Sequence, residues 1–145
     1  MTGFSETMQF SDSEVLSIPQ TSFEVLLVED EPLVAIVAEE CLRAIGYEAV
    51  VAHNAHDAAR AFEDGLRPAL AVIDVGLPDG RGDELVRKLR VHDPKLKVVI
   101  VSGYEEDELR AQFQGDARVA VVAKPYTELD IARAAESLGL ELREG

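Results

Sequence analysis

Val25-Leu26-Leu27-Val28-Glu29-Asp30-Glu31-Pro32 is the stretch that decides the fold. Its apolar half is continuous and β-branched at both ends, which suits a strand buried on both faces of a parallel sheet. The run stops abruptly in acids, and Pro32 is well placed for the first turn of a helix. Val34, Val37, Ala38, Cys41, Leu42 and Ile45 then recur at helical spacing, and Gly46 closes that helix.

The same alternation repeats downstream. Glu48 to Ala52 reads as a strand, and Asn54 caps a helix that runs to about Glu63. Ala69 to Ile73 is the next buried run and ends at Asp74. Leu77-Pro78-Asp79-Gly80-Arg81-Gly82 has turn composition, and a helix follows from Asp83 to Val91. Val98 to Val101 ends at Ser102-Gly103, and Glu105 to Phe113 is helical with acids in its first turn. Val119 to Ala123 ends at Lys124-Pro125, and Thr127 with Asp130 has capping-box spacing. Five strands alternating with five helices give an α/β, three-layer, doubly wound parallel sheet with right-handed crossovers.

In such a sheet the ligand crevice lies outside the carboxyl ends of the strands. The residues delivered there are Glu29 and Asp30, His53, Asp74, Ser102 and Lys124. Two carboxylates about 4 Å apart repel by roughly 4 kcal/mol at an effective dielectric of 20. A divalent cation relieves that repulsion, and an all-oxygen donor set selects Mg²⁺ or a similar hard ion. Asp74 is the candidate nucleophile for a phosphoryl group. Mg²⁺, Lys124 and the Ser102 hydroxyl could each meet one phosphoryl oxygen. Glu31 reads instead as a first-turn complement to the helix dipole, and His53, His56 and His92 as residues without chemistry.

These residues carry a family resemblance. From about Phe23 to Leu138 the chain resembles the receiver domain of bacterial response regulators. The matching motifs are Leu27-Val28-Glu29-Asp30-Glu31, Asp74 followed by Leu77-Pro78 and Gly82, Ser102-Gly103, and Lys124-Pro125. The resemblance implies a flavodoxin-like strand order of 2-1-3-4-5. It implies that Asp74 takes a phosphoryl group from a sensor histidine kinase. It implies that Asp30 ligates Mg²⁺ directly, Glu29 largely through water, and Gly76 through its carbonyl. Ser102 and Lys124 would hold the phosphate, and the Lys124-Pro125 peptide is often cis in such domains.

One position departs from the pattern. Typical receivers carry an aromatic switch three residues before the lysine, where this chain has Val121. Tyr104 instead follows Ser102-Gly103, which partly resembles a receiver subgroup with a Thr-Gly-Tyr motif. Tyr104 then reads either as a reporter of phosphorylation or as plain loop packing.

Composition limits the alternatives. The chain has 145 residues, is 47% hydrophobic and carries a formal net charge of -14. That acidity opposes a nucleic-acid footprint, and no apolar run reaches the roughly 20 residues of a membrane span. The lone Cys41 reads as a core filler in a reducing compartment, and a cytoplasmic protein is expected. The expected layout is a flexible arm over 1–22, the receiver over 23–140 and a tail over 141–145. Output would then pass through a downstream protein or phosphotransferase, or the domain would drain phosphate from its kinase. The protein is expected not to be an enzyme. Two rivals remain: an aspartyl-nucleophile phosphohydrolase, disfavoured because Gly76 stands where such enzymes place a second acid, and a receiver-fold interaction module that takes no phosphate.

Overall fold

The computed structural model describes residues 23–140; the expected arm and tail lie outside that range. The elements in chain order are β1 (Phe23–Val28), α1 (Pro32–Ala44), β2 (Tyr47–Ala52), α2 (Ala55–Glu63), β3 (Leu70–Asp74), β4 (Gly76–Leu77), β5 (Gly80–Arg81), α3 (Gly82–His92), β6 (Val98–Ser102), α4 (Glu106–Gln112), β7 (Val119–Ala123) and α5 (Glu128–Ser137). Five strands form one parallel sheet in the order β2-β1-β3-β6-β7. With the five main strands numbered alone, that is the expected flavodoxin-like 2-1-3-4-5.

Side-chain alternation along the strands splits the interior into two cores. Val25 and Leu27 of β1 face α1 and α5, where they meet Ala38, Leu42, Ile131 and Ala135. Leu26 and Val28 face the other way, toward Phe62 of α2, Leu85 and Leu89 of α3, and Leu109 of α4. Both sheet faces are therefore covered, which is why β1, β3 and β6 read as unbroken apolar runs.

Local chemistry sets the helix starts. Pro32 occupies the first turn of α1, where its missing N–H has no partner to lose. The Asn54 side chain accepts the Asp57 N–H at 2.7 Å and caps α2. Thr127 and Asp130 close a reciprocal capping box on α5, at 3.3 and 2.9 Å. Gly46 stands at φ 93°, in the left-handed region that ends α1.

Three local expectations need correction. The turn-rich stretch after Asp74 contains a small antiparallel hairpin, β4 with β5, and α3 starts one residue earlier than expected, at Gly82. Val37 was expected on the inner face of α1 but is 60% exposed, as are Leu33 and Ile36 in large part. The helix instead buries Ala35, Ala38 and Leu42. Cys41 is only half-buried, so it is not a core filler.

Candidate functional site

The register of the sheet levels the strand ends. Val28 pairs with Ile73, Asp74 with Val101, and Ser102 with Ala123. The residues just beyond therefore share one rim. Backbone bonds extend the ladder there: Glu29 N to Ala52 O at 3.0 Å, Val75 N to Val101 O at 3.0 Å, and Lys124 N to Ser102 O at 2.8 Å.

Glu29, Asp30 and Asp74 each present a carboxylate oxygen, and these oxygens lie within 4.8 Å of one another. Lys124 reaches into the group, with Nζ 3.1 Å from Asp74 Oδ2 and 3.6 Å from Glu29 Oε1. Asp74 Oδ1 accepts the Gly76 N–H at 3.2 Å, and Glu29 Oε2 accepts the Glu31 N–H at 3.2 Å. The Lys124-Pro125 peptide is cis.

The electrostatics follow from crowding and burial. Burial raises the Glu29 pKa, and the Asp74 charge pushes the same way, against the opposing Glu31 N–H and Lys124. Burial would lower the Lys124 pKa, but the Asp74 and Glu29 carboxylates outweigh it and hold the ammonium above its ordinary value. The neighbouring Tyr126 phenol is pushed up to about 12, by burial first and by Glu29 next. A single lysine does not balance three converging carboxylates. Hard oxygen donors without a thiolate or an imidazole fit a divalent cation, so the donor set suits a metal of the Mg²⁺ type.

Ser102 is fully buried, and its hydroxyl oxygen accepts the N–H groups of Glu105 at 2.9 Å and Tyr104 at 3.3 Å. It thus grips the loop that leads into α4. Tyr104 is 95% exposed and Val121 is half-buried. The acid cluster, Ser102 and Lys124 come together on the rim, whereas the Tyr104 and Val121 side chains lie outside it. The cluster opens into a groove of about 1020 Å³ walled by Leu33, Val37, Tyr104 and Tyr126. His53 stands beside the site, with Nδ1 3.2 Å from the Glu29 carbonyl oxygen.

Several supporting side chains have no local signature in the sequence. The Asp79 carboxylate leaves its own hairpin and accepts the N–H groups of Ala55 and His56, at 2.8 and 2.9 Å, which fastens the loop after Asp74 to the start of α2. These two bonds hold the Asp79 pKa below its ordinary value. Arg81 joins Asp83 and Glu105, both at 2.9 Å. The Asp79-Gly80 turn is readable in the sequence, but partners more than twenty residues away are not.

Residues 25–136 match the family described as the response regulator receiver domain. Over 112 residues the chain is 34% identical to the Sensor kinase CckA of Brucella abortus, a match spanning 77% of this chain and 12% of that protein. Over 122 residues it is 32% identical to the DNA-binding transcriptional activator DevR/DosR of Mycobacterium tuberculosis, spanning 80% and 54%. The chain therefore spans less than two thirds of the length of either relative. The crystal structure of a response regulator receiver protein from Sinorhizobium medicae shares the fold, with TM-score 0.74 at 21% identity, over 83% of this chain and 97% of that one.

Proposed function

Because the chain belongs to the response regulator receiver family and so to two-component signalling, we propose that it accepts a phosphoryl group on Asp74 from a sensor histidine kinase. The observation that carries this reading is the meeting of Asp74 with Lys124 at 3.1 Å inside a carboxylate cluster suited to a divalent ion. Glu29, Asp30 and Asp74, with the Gly76 carbonyl, would hold Mg²⁺. When bound, the ion would supply positive charge to the phosphoryl oxygens.

The chain's own residues do the rest. An Asp74 carboxylate oxygen donates its electron pair to phosphorus. The bond from phosphorus to the donor's imidazole nitrogen breaks, and its electron pair returns to the ring. Lys124 already stands against Asp74, so its ammonium meets the arriving negative charge without reorganisation. The Ser102 Oγ accepts two backbone N–H groups and keeps its own proton, which it would donate to a phosphoryl oxygen. The protein acts as a phospho-acceptor rather than a turnover enzyme, since Gly76 offers no second acid to activate water. Its output is a changed protein-binding surface, or withdrawal of phosphate from the kinase.

The test is incubation with labelled acetyl phosphate and MgCl₂. Wild type should retain one label per chain, and Asp74→Asn none. Steady release of phosphate without retained label would favour a hydrolase, and no label with either protein would favour a phosphate-independent module.

A further inference from the structure

One polar tie reaches the candidate metal site from outside it. Gly76, whose carbonyl would complete the donor set, opens the hairpin of β4 and β5. Gly76 pairs with Arg81 and Leu77 with Gly80, so Pro78 and Asp79 form the hairpin tip. The tip carboxylate crosses to another element. Asp79 Oδ1 accepts the Ala55 N–H at 2.8 Å, and Oδ2 accepts the His56 N–H at 2.9 Å. Both donors lie in the first turn of α2, where free N–H groups and the helix dipole favour an anion.

The hairpin depends on such an anchor. Its strands have two residues each, too few to hold a hairpin rigid by themselves. Gly76 is exposed and has no side chain to pack, which leaves its peptide free to turn. The Gly76 N–H donates to Asp74 Oδ1 at 3.2 Å, so it ties the loop to the site rather than to the scaffold. Among the described residues, the side chains that tie 76–80 to the scaffold are Leu77, which is buried, and Asp79. The segment that receives Asp79 also holds the other arm of the site. Ala52 O accepts the Glu29 N–H at 3.0 Å, and His53 Nδ1 lies 3.2 Å from the Glu29 carbonyl oxygen. Residues 52–56 therefore bracket the backbone of Glu29 and, through Asp79, that of the Gly76 loop.

Rigidity matters unequally to the two common hard cations. Mg²⁺ demands near-ideal octahedral geometry at about 2.1 Å, whereas Ca²⁺ accepts flexible arrangements at about 2.4 Å. We propose that Asp79 is a positioning residue for metal selectivity: by pinning the hairpin tip to α2 it fixes the Gly76 carbonyl and so favours Mg²⁺ over Ca²⁺. The inference rests on Glu29, Asp30, Asp74 and Gly76 being the metal ligands.

The test is calorimetric titration of the full chain with MgCl₂ and, separately, with CaCl₂. Asp79→Ala should weaken Mg²⁺ binding about tenfold, as loss of an outer support does at metal sites. Ca²⁺ binding should weaken by less than about twofold, so the preference for Mg²⁺ falls. Asp79→Asn keeps an amide oxygen that can accept one N–H, and it should lie between wild type and Asp79→Ala. Charge alone makes a different forecast: losing one negative charge weakens both divalent ions alike and makes the two variants equivalent. Asn54→Ala is the structural control, because it removes the bond from the Asp57 N–H at the same helix start without freeing the hairpin. It should leave the ratio of the two Kd values unchanged. Ca²⁺ weakened as much as Mg²⁺, neither ion affected, or the same change of ratio in Asn54→Ala would each overturn the role of Asp79 and leave the metal site standing. Should Asp79→Ala fold poorly, Asp79→Asn decides alone. A wild type that binds neither ion would instead overturn the metal-site reading, and the selectivity with it.

Discussion

Gly82 shows what a single missing methyl group does for the rim. A Cβ there would overlap the Asp74 carbonyl oxygen and lie 2.9 Å from both Val75 Cα and Ile73 Cγ2. The first residue of α3 thus lies directly on the backbone that carries Asp74, with Gly82 N donating to Val75 O at 2.9 Å. Gly82→Ala must push helix and strand end apart. We expect a loss of about 3 kcal/mol in a denaturant melt, because overpacking against backbone has no flexible side chain to yield. Mg²⁺ affinity should fall in the same variant, since Asp74 is displaced from its partners. At this scale the sequence was most readable where side chains act from a strand end. Glu29, Asp30, Asp74, Ser102 and Lys124 each stand at the end of an apolar run, and parallel strands deliver their ends to one edge whatever the details. Asp79 and Arg81 were unreadable because their partners are set by how loops and helices meet. No local period encodes the pairing of Asp79 with α2.

Elements were readable in kind and order, less so in which face they bury. In α1 the apolar side chains Leu33, Ile36 and Val37 point outward, while Ala35, Ala38 and Leu42 pack inward. Hydrophobicity alone does not separate the two faces, because both carry apolar side chains. The hairpin of β4 and β5 was hidden because strands of two residues each have no periodicity to detect. The last turn of α3 is anchored by Arg90, which donates to the Leu96 carbonyl at 2.9 Å and to Asp116 Oδ2 at 2.6 Å. Arg90→Ala should cost about 2 kcal/mol, because Asp116 loses its guanidinium partner and keeps only the Arg118 N–H, and the Leu96 carbonyl loses that donor. The loss should depend on pH. Arg90 holds the Asp116 carboxyl below its ordinary pKa, so the folded value lies under the unfolded one. The stability from this pair is complete above the unfolded value of about 3.9 and disappears as pH falls through the folded one. The gap between wild type and Arg90→Ala in thermal melts should therefore be full near pH 6 and narrow below about pH 4.

Across the whole molecule, an acidic chain with net charge -14 gathers three of its carboxylates at one rim. Burial raises the Glu29 pKa, so keeping that group ionised at neutral pH opposes folding. A cation that binds only the folded form should therefore stabilise it. MgCl₂ at about ten times its Kd should add about 1.4 kcal/mol, roughly 4 °C in Tm. Asp30→Asn should lose most of that increment while retaining the fold. The strand order needed no structure to foresee once the family motifs were in view, because it belongs to the topology those motifs accompany. The cross-links between loops did need it, since they are properties of the folded surface.

The position of Tyr104 has a practical consequence. The chain has no tryptophan and three tyrosines. Tyr47 lies in the core, Tyr126 is half-buried, and Tyr104 stands almost fully in water one residue beyond Ser102-Gly103. A soluble quencher therefore meets one emitter far more often than the others. The molecule thus has a native optical probe on the loop next to its chemistry, and no dye has to be attached to watch it.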